Sequence, residues 1–419
     1  MSVSELGLLS KRELLRSAGA GFGWLALAGM FGRNGSCRAA GVPNTAVGSS
    51  SAGPLAPRAG HFPARAKRII FLFMEGAMSY VDTFEYKPKL QQSDGQSGPG
   101  GGKLTASRFR FAQHGQTGTW ISELYPNLAQ HVDKLCFLRG LHTDTPAHPQ
   151  AVIQLHTGAR IASLTRPSLG AWLLYGLGTE NQDLPGYVTI NPSPNFGGAI
   201  NYGTAFLPAF YQGTRITDTG HLPNLKRGQQ AILQRHQLDF VQRLNQRYAE
   251  QPDAPAAVEG IIESSELAFR MQQQVPELLD LATEPQHIQD AYGIRPGAAG
   301  SFARQCLLAR KLCEAGVRFV EIRHGGWDHH NNLHKGLQAG AAATDQPTAA
   351  LLADLEQRGL LDDTLVLFGS EFGRMHTTDL HATLLALLGL DHENLTFNYG
   401  GRDFRLTDVE GNVVREIFA

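Results

Sequence analysis

Three apolar runs that stop abruptly at polar, glycine-containing turns constrain this chain more than any other feature. Arg68-Ile-Ile-Phe-Leu-Phe-Met74 breaks at Glu75-Gly-Ala-Met-Ser79. Val317-Arg-Phe-Val-Glu-Ile-Arg323 runs into His324-Gly-Gly-Trp-Asp-His-His330. Thr364-Leu-Val-Leu-Phe-Gly369 runs into Ser370-Glu-Phe-Gly-Arg374. Continuous apolar runs of this length are expected of strands covered on both faces. Helical patterns over 302–315 and 344–358 feed the second and third strands, with Gly316 and Gly359 where helix C-caps belong. Helix–strand alternation with buried strands implies an α/β fold with a mostly parallel sheet. Ligands of such sheets bind beyond the carboxyl ends of the strands, so these turns are the first place to look for chemistry.

The rest of the chain fits the same plan. Further strands are expected at 135–139 and 187–190. Helices are expected over 124–131, 150–158 and 168–176, and His376 to Leu388 reads as another. Between 225 and 293 long helical patterns dominate. There Ile232, Leu233, Leu238, Phe240, Val241 and Leu244 fall at amphipathic spacing. That stretch is suited to capping the sheet or shielding a site. A glycine-rich insert at 93–102 reads as a loop.

With 419 residues the chain is long enough for one large domain or for two or three smaller ones. A net charge of −1 gives no global pull toward nucleic acid or an anionic membrane. Of the four cysteines, Cys306 and Cys313 share one helix face, as small buried residues do. The amino terminus carries Ser10-Lys-Arg-Glu-Leu-Leu-Arg16, an uncharged segment from Ser17 to Gly32, and small residues at Ala39-Ala40. A basic region, a short apolar segment and a small-residue end describe an export signal. The apolar part is short and glycine-rich for a membrane span, so no stable transmembrane span is expected in the mature form. Lys11-Arg12 resembles the arginine pair of a twin-arginine signal with one arginine replaced. The expected organisation is an export signal over 1–40, a flexible linker over 41–66 and one α/β domain over 67–419. The expected location is the periplasm or the extracellular space, reached through the twin-arginine export machinery.

The strand-end turns carry the candidate chemistry. Asp328 and His330, with His324 and His329 nearby, offer carboxylate and imidazole, a donor set suited to Zn, Mn or a similar divalent ion. Glu371 and Arg374 form either a structural ion pair or part of a site. In the second case the planar fork of Arg374 suits the anionic oxygens of an ester. Ser79 and Asp82 follow the first strand. A turn serine becomes a nucleophile when a base or metal lowers its pKa. His142, Asp144, His148 and His156 form a further polar cluster without the spacing of a ligand set.

Several segments resemble the DUF1501 family. They are Phe71 to Pro88, Arg166-Pro-Ser-Leu-Gly170, Tyr175-Gly-Leu-Gly-Thr-Glu-Asn181, Gly326-Trp-Asp-His-His330, Glu371-Phe-Gly-Arg374, Asp379-Leu-His-Ala-Thr383 and Tyr399 to Asp408. The resemblance runs from the leader to the last residues. It implies a sulfatase-like member of the alkaline-phosphatase-like superfamily, with a three-layer α/β/α fold and divalent metals (Zn, Mn, Mg or Ca). It also implies hydrolysis of anionic sulfate or phosphate esters, on small molecules or polysaccharides. On the matching motifs Ser79 and Arg374 become catalytic residues, and Asp82, Asp328, His330, Glu371 and His376 become metal ligands.

This chain departs from the family pattern in three places. Gly76-Ala77 replaces a double glycine, and Glu85-Tyr-Lys-Pro88 replaces Asp-Pro-Lys-Pro. A long family segment after Glu-Phe-Gly-Arg, containing an Asp-His pair, is absent where Met375 joins Arg374 to His376. A two-metal site needs roughly six protein ligands around ions ~4 Å apart, so the five remaining candidates suit one ion. The absent segment is expected to leave a sheet edge or core surface uncovered near 374–376. The expected function is an exported metal-dependent ester hydrolase, weakened if that segment is required. The alternative is a non-catalytic exported binding or scaffold protein that keeps the fold.

Overall fold

A computed structural model describes residues 53–139, 142–159, 165–222, 231–249, 257–295, 297, 300–372 and 376–418. The expected export signal, residues 41–52 of the expected linker, and Arg374 lie outside the described residues. Among the described residues the strands are β1 (Arg68–Met74), β2 (Phe111–His114), β3 (Thr119–Ser122), β4 (Tyr187–Ile190), β5 (Thr214–Ile216), β6 (Phe319–His324), β7 (Thr364–Gly369), β8 (Phe397–Tyr399) and β9 (Arg402–Phe404). The α-helices are α1 (Tyr80–Thr83), α2 (Pro88–Gln92), α3 (His148–Thr157), α4 (Leu169–Leu177), α5 (Ala231–Ala249), α6 (Ala257–Leu279), α7 (Gln286–Tyr292), α8 (Phe302–Glu314), α9 (Leu333–Gln357) and α10 (Thr377–Leu387).

The central sheet is all parallel, in the order β5-β4-β6-β1-β7, and the fold is three-layer α/β/α as expected. Every residue of β1 is buried, which is why its sequence shows no polar alternation. Its alternate side chains sort the layers. Phe71 and Phe73 meet His156 of α3. On the opposite face Met74 lies beside His324, whose ring packs on Phe302 at the start of α8. The edge strand β7 is different, because residues Leu365–Gly369 are only half-buried. The central sheet thus ends on a half-buried strand, with Phe368 packed against Phe84 and Tyr125, and the covered strand β1 lies next to it.

Four expectations need correction. Residues 135–139 form no strand; Phe137 packs instead on the ring of Phe84. The helix expected over 124–131 is a 3-10 helix over Leu128–Lys134, entered where the Asp345 carboxylate accepts the Asn127 and Leu128 N–H groups. The helix expected from 344 begins at Leu333, because Gly340 admits the Trp327 ring against a stretch without apolar period. Within the expected linker, residues 53–66 are fixed to the body. Leu55 is buried, the Thr179 N–H donates to its carbonyl, and Arg58 donates to the Tyr175 carbonyl at 2.5 Å. Cys306 and Cys313 are buried free thiols, and burial raises the pKa of both. No helix of the described residues is long and apolar enough to cross a membrane.

Candidate functional site

The carboxyl ends of β1, β6 and β7 meet at Gly76, whose approach to the β6 turn leaves no room for a Cβ. Gly76 has φ +110°, and a Cβ there would lie 2.4 Å from the Asp328 nitrogen. The Trp327 N–H donates to the Glu75 carbonyl at 3.2 Å, which pins the β6 turn onto the β1 turn. The Gly76 N–H donates to Glu371 Oε1 at 2.9 Å, which ties in the end of β7. Tyr80 completes the junction. Its hydroxyl lies 2.8 Å from Ser370 Oγ and donates to the Phe372 carbonyl, and burial pushes its pKa up to about 12.

Ala77 also sits at positive φ, +61°. An L-residue there costs roughly 1–2 kcal/mol of backbone strain. Ala77→Gly removes that strain but gives the unfolded chain more freedom. The net expectation is a gain of up to about 1 kcal/mol, read as a higher chemical-denaturation midpoint with an unchanged slope. A lower midpoint would show that the strain is absent.

Around this junction the side chains fall into three hydrogen-bonded groups. In the first, Ser79 Oγ donates to Asp82 Oδ2 at 2.6 Å, and Asp82 is buried. Asp82 faces the one hydroxyl that β1 presents at its turn.

The second group is built on Glu371, which is fully buried. Its Oε1 takes the Gly76 N–H and lies 2.8 Å from His148 Nδ1. Its Oε2 is buried with no partner among the described residues. Burial raises the Glu371 pKa, and the His148 and Gly76 contacts oppose that rise without cancelling it. The other nitrogen of His148 lies 3.5 Å from Asp328 Oδ2, and Asp328 Oδ1 lies 2.9 Å from His330 Nε2. His148 therefore bridges the β6 and β7 turns, held between Phe372 and Phe196. His330 is largely exposed.

The third group holds His376, which caps α10 and lies 2.5 Å from Thr378 Oγ1. Its Nε2 is 3.2 Å from Asp144 Oδ1, and His142 meets its ring edge-on.

Beneath the site a buried polar pair supports α3. His156 Nε2 lies 3.0 Å from Glu321 Oε1 on β6. Burial alone would lower the His156 pKa, but the Glu321 carboxylate together with the Val152 carbonyl and Glu371 outweighs it, and the pKa is raised. Beside the site, Trp327 is buried and its indole N–H donates to His324 Nδ1 at 3.0 Å.

Sequence spacing missed the role of His148. It stands 223 residues from Glu371, so only the return of α3 to the sheet edge brings the two together. Asp82, expected with the ligands, is taken by Ser79. His376 is taken by Asp144 and Thr378. Among the described residues no three His, Cys, Asp or Glu side chains converge on one metal position.

A family model described as a protein of unknown function, DUF1501, matches residues 66–378 and again 374–418. The chain belongs to that family. Comparison with curated proteins and with solved structures returned no match.

Proposed function

We propose that the protein is an exported, metal-dependent hydrolase of phosphate or sulfate esters of the sulfatase-like, alkaline-phosphatase-like kind. The observation that carries the reading is the buried Glu371 carboxylate. Its Oε2 has no partner among the described residues, and it lies at the carboxyl edge of a parallel sheet against His148, which also reaches Asp328. A buried carboxylate oxygen without a donor is costly unless a cation or proton meets it. Glu371, Asp328 and His330 carry the donor types that suit a divalent ion, which would offset the charge on the ester oxygens.

The Ser79–Asp82 pair supplies the rest. Ser79 Oγ attacks the phosphorus or sulfur as its proton passes to Asp82 Oδ2. The ester bond to the alcohol oxygen breaks, and that oxygen takes a proton from His148. Water then releases the Ser79 ester, giving one proton to His148 as Asp82 returns its proton to Ser79.

The reading of an absent segment is part of the proposal. The two family matches meet at 374–378, directly after the half-buried edge strand β7. Both facts support a missing element beyond β7 and an activity reduced by its loss. The second reading is a non-catalytic binding or scaffold protein that keeps the fold. It is favoured by the lack of three converging ligands among the described residues.

The deciding assay follows 4-nitrophenyl phosphate and 4-nitrophenyl sulfate with added Zn, Mn, Mg or Ca, in the periplasmic or secreted fraction and with purified protein. Turnover is expected to fall about 100-fold or more in Glu371→Gln, and bound metal is expected to fall in Asp328→Ala. No turnover with any of these ions, together with equal metal content in wild type and Asp328→Ala, establishes the scaffold reading instead.

A further inference from the structure

Helix α5 is built inside out. Its seam toward α6 is polar: Arg235 donates to both Glu266 oxygens at 2.9 Å and lies 5.3 Å over the Phe269 ring. Gln242 is buried on the same side. The apolar residues face away. Leu233, Phe240, Val241, Leu244 and Tyr248 are 46–58% exposed. They are half of the ten exposed large apolar side chains among the described residues. At 3.6 residues per turn the five fall within an arc of about 100°. Gln237 is the one polar side chain inside that arc. Of the six residues expected to form an amphipathic face, Leu233, Phe240, Val241 and Leu244 therefore face solvent, where an isolated monomer gains nothing from them; Leu238 is half-buried, and the Ile232 side chain lies outside the described residues.

Charge selects the occupant. His236, Arg243 and Arg247 lie along one flank of the apolar arc, and all three are exposed. The helix carries one acidic side chain, Asp239, and it is 2.5 Å from Arg235. A second copy packed antiparallel about a two-fold axis would set this basic flank against itself, which is unfavourable. An apolar stripe with an arginine border instead fits a lipid surface with anionic headgroups. The rings and leucines enter the acyl boundary while the guanidinium groups remain among the phosphates.

We propose that the outer face of α5 adsorbs to an anionic membrane surface, placing the α/β body at the lipid interface. The near-zero net charge of the whole chain does not oppose this, because attraction acts within a Debye length of the local patch.

The test is hydrogen–deuterium exchange on the full chain, which reads α5 separately from the leader. Vesicles of mixed phosphatidylglycerol and phosphatidylcholine are expected to slow exchange about tenfold or more in peptides from 231–249. Phosphatidylcholine alone is expected to leave those peptides unchanged. Phe240→Gln with Leu244→Gln, and separately Arg243→Gln with Arg247→Gln, are expected to abolish the slowing. Unchanged exchange in β1 will show that the variants are folded.

Three results would overturn the proposal. One is no slowing with anionic vesicles. Another is equal slowing with neutral ones, which removes the role of charge. The third is protection that grows with protein concentration in the absence of lipid, which assigns the face to a second copy.

Discussion

Acidification from pH 6.5 to pH 4 is expected to remove about 3 kcal/mol of folding stability through His381 alone. His381 is fully buried on α10, and its Nε2 donates to the Leu155 carbonyl at 2.7 Å. Its Nδ1 is buried without a partner among the described residues. Burial, aided by repulsion from His156 and His376, lowers its pKa from 6.5 to about 4 against the opposing Leu155 bond. The unfolded chain therefore takes up a proton that the folded chain refuses. The contribution is whole above pH 6.5 and is lost as pH falls toward 4. His324 adds in the same direction, because burial and Arg323 lower its pKa to about 4.

His156 works on the other side of neutrality. Its raised pKa gives stability that is complete below the unfolded value and lost as pH rises through the folded one. The measurement is chemical denaturation at pH 7, 6, 5 and 4. His381→Gln keeps an N–H donor toward Leu155 but does not titrate, so it is expected to flatten the acid slope. An identical slope in that variant would refute the assignment.

Arg310→Ala is expected to cost roughly 3–5 kcal/mol, the scale for breaking one partner out of a buried ion network. Arg310 is 1% exposed. Its three nitrogens reach Asp354 at 2.9 Å, Glu314 at 2.7 Å and Glu284 at 2.5 Å. The Tyr292 hydroxyl donates to Asp354 Oδ2 at 3.0 Å, and Arg358 lies 2.6 Å from Asp354 Oδ1. The network joins α7, α8 and α9 under one face of the sheet. Removing the guanidinium leaves Asp354 buried with weaker compensation and Glu284 without its nearest cation. Arg310→Lys keeps a charge but cannot fork to three carboxylates, so an intermediate loss is expected. The comparison is Arg110–Glu123, whose Arg110 side chain is 90% exposed. Its loss is expected to cost about 0–1 kcal/mol. If both substitutions shift the denaturation midpoint equally, the buried network does not have this role.

The elements most legible in the sequence are those whose composition answers to one environment. β1 is apolar throughout because both of its faces are covered, and the strand-end turns stood out because glycine and polar residues interrupt that pattern. The 187–190 strand and the helices before β6 and β7 were legible for the same local reasons. Misreadings fell where a local pattern was overruled from a distance. The 135–139 run looked like a strand but spends its apolar side chains on Phe84. The start of α9 had no apolar period and is helical because Trp327 lies on Gly340. The apolar stripe of α5 was legible as a stripe, but not the direction in which it faces.

By itself the sequence determined the parallel α/β architecture, the three strand ends that meet at one edge, and the DUF1501 membership. It also determined that Asp328, His330 and Glu371 stand at those ends. Only the tertiary structure decided which side chains meet there. It placed His148 between Glu371 and Asp328, closed Asp82 onto Ser79, drew His376 to Asp144, and left β7 as a half-buried edge. Period and composition report the environment of a segment over a few residues. A contact between residues 223 apart depends on how whole layers pack, and no local pattern records that.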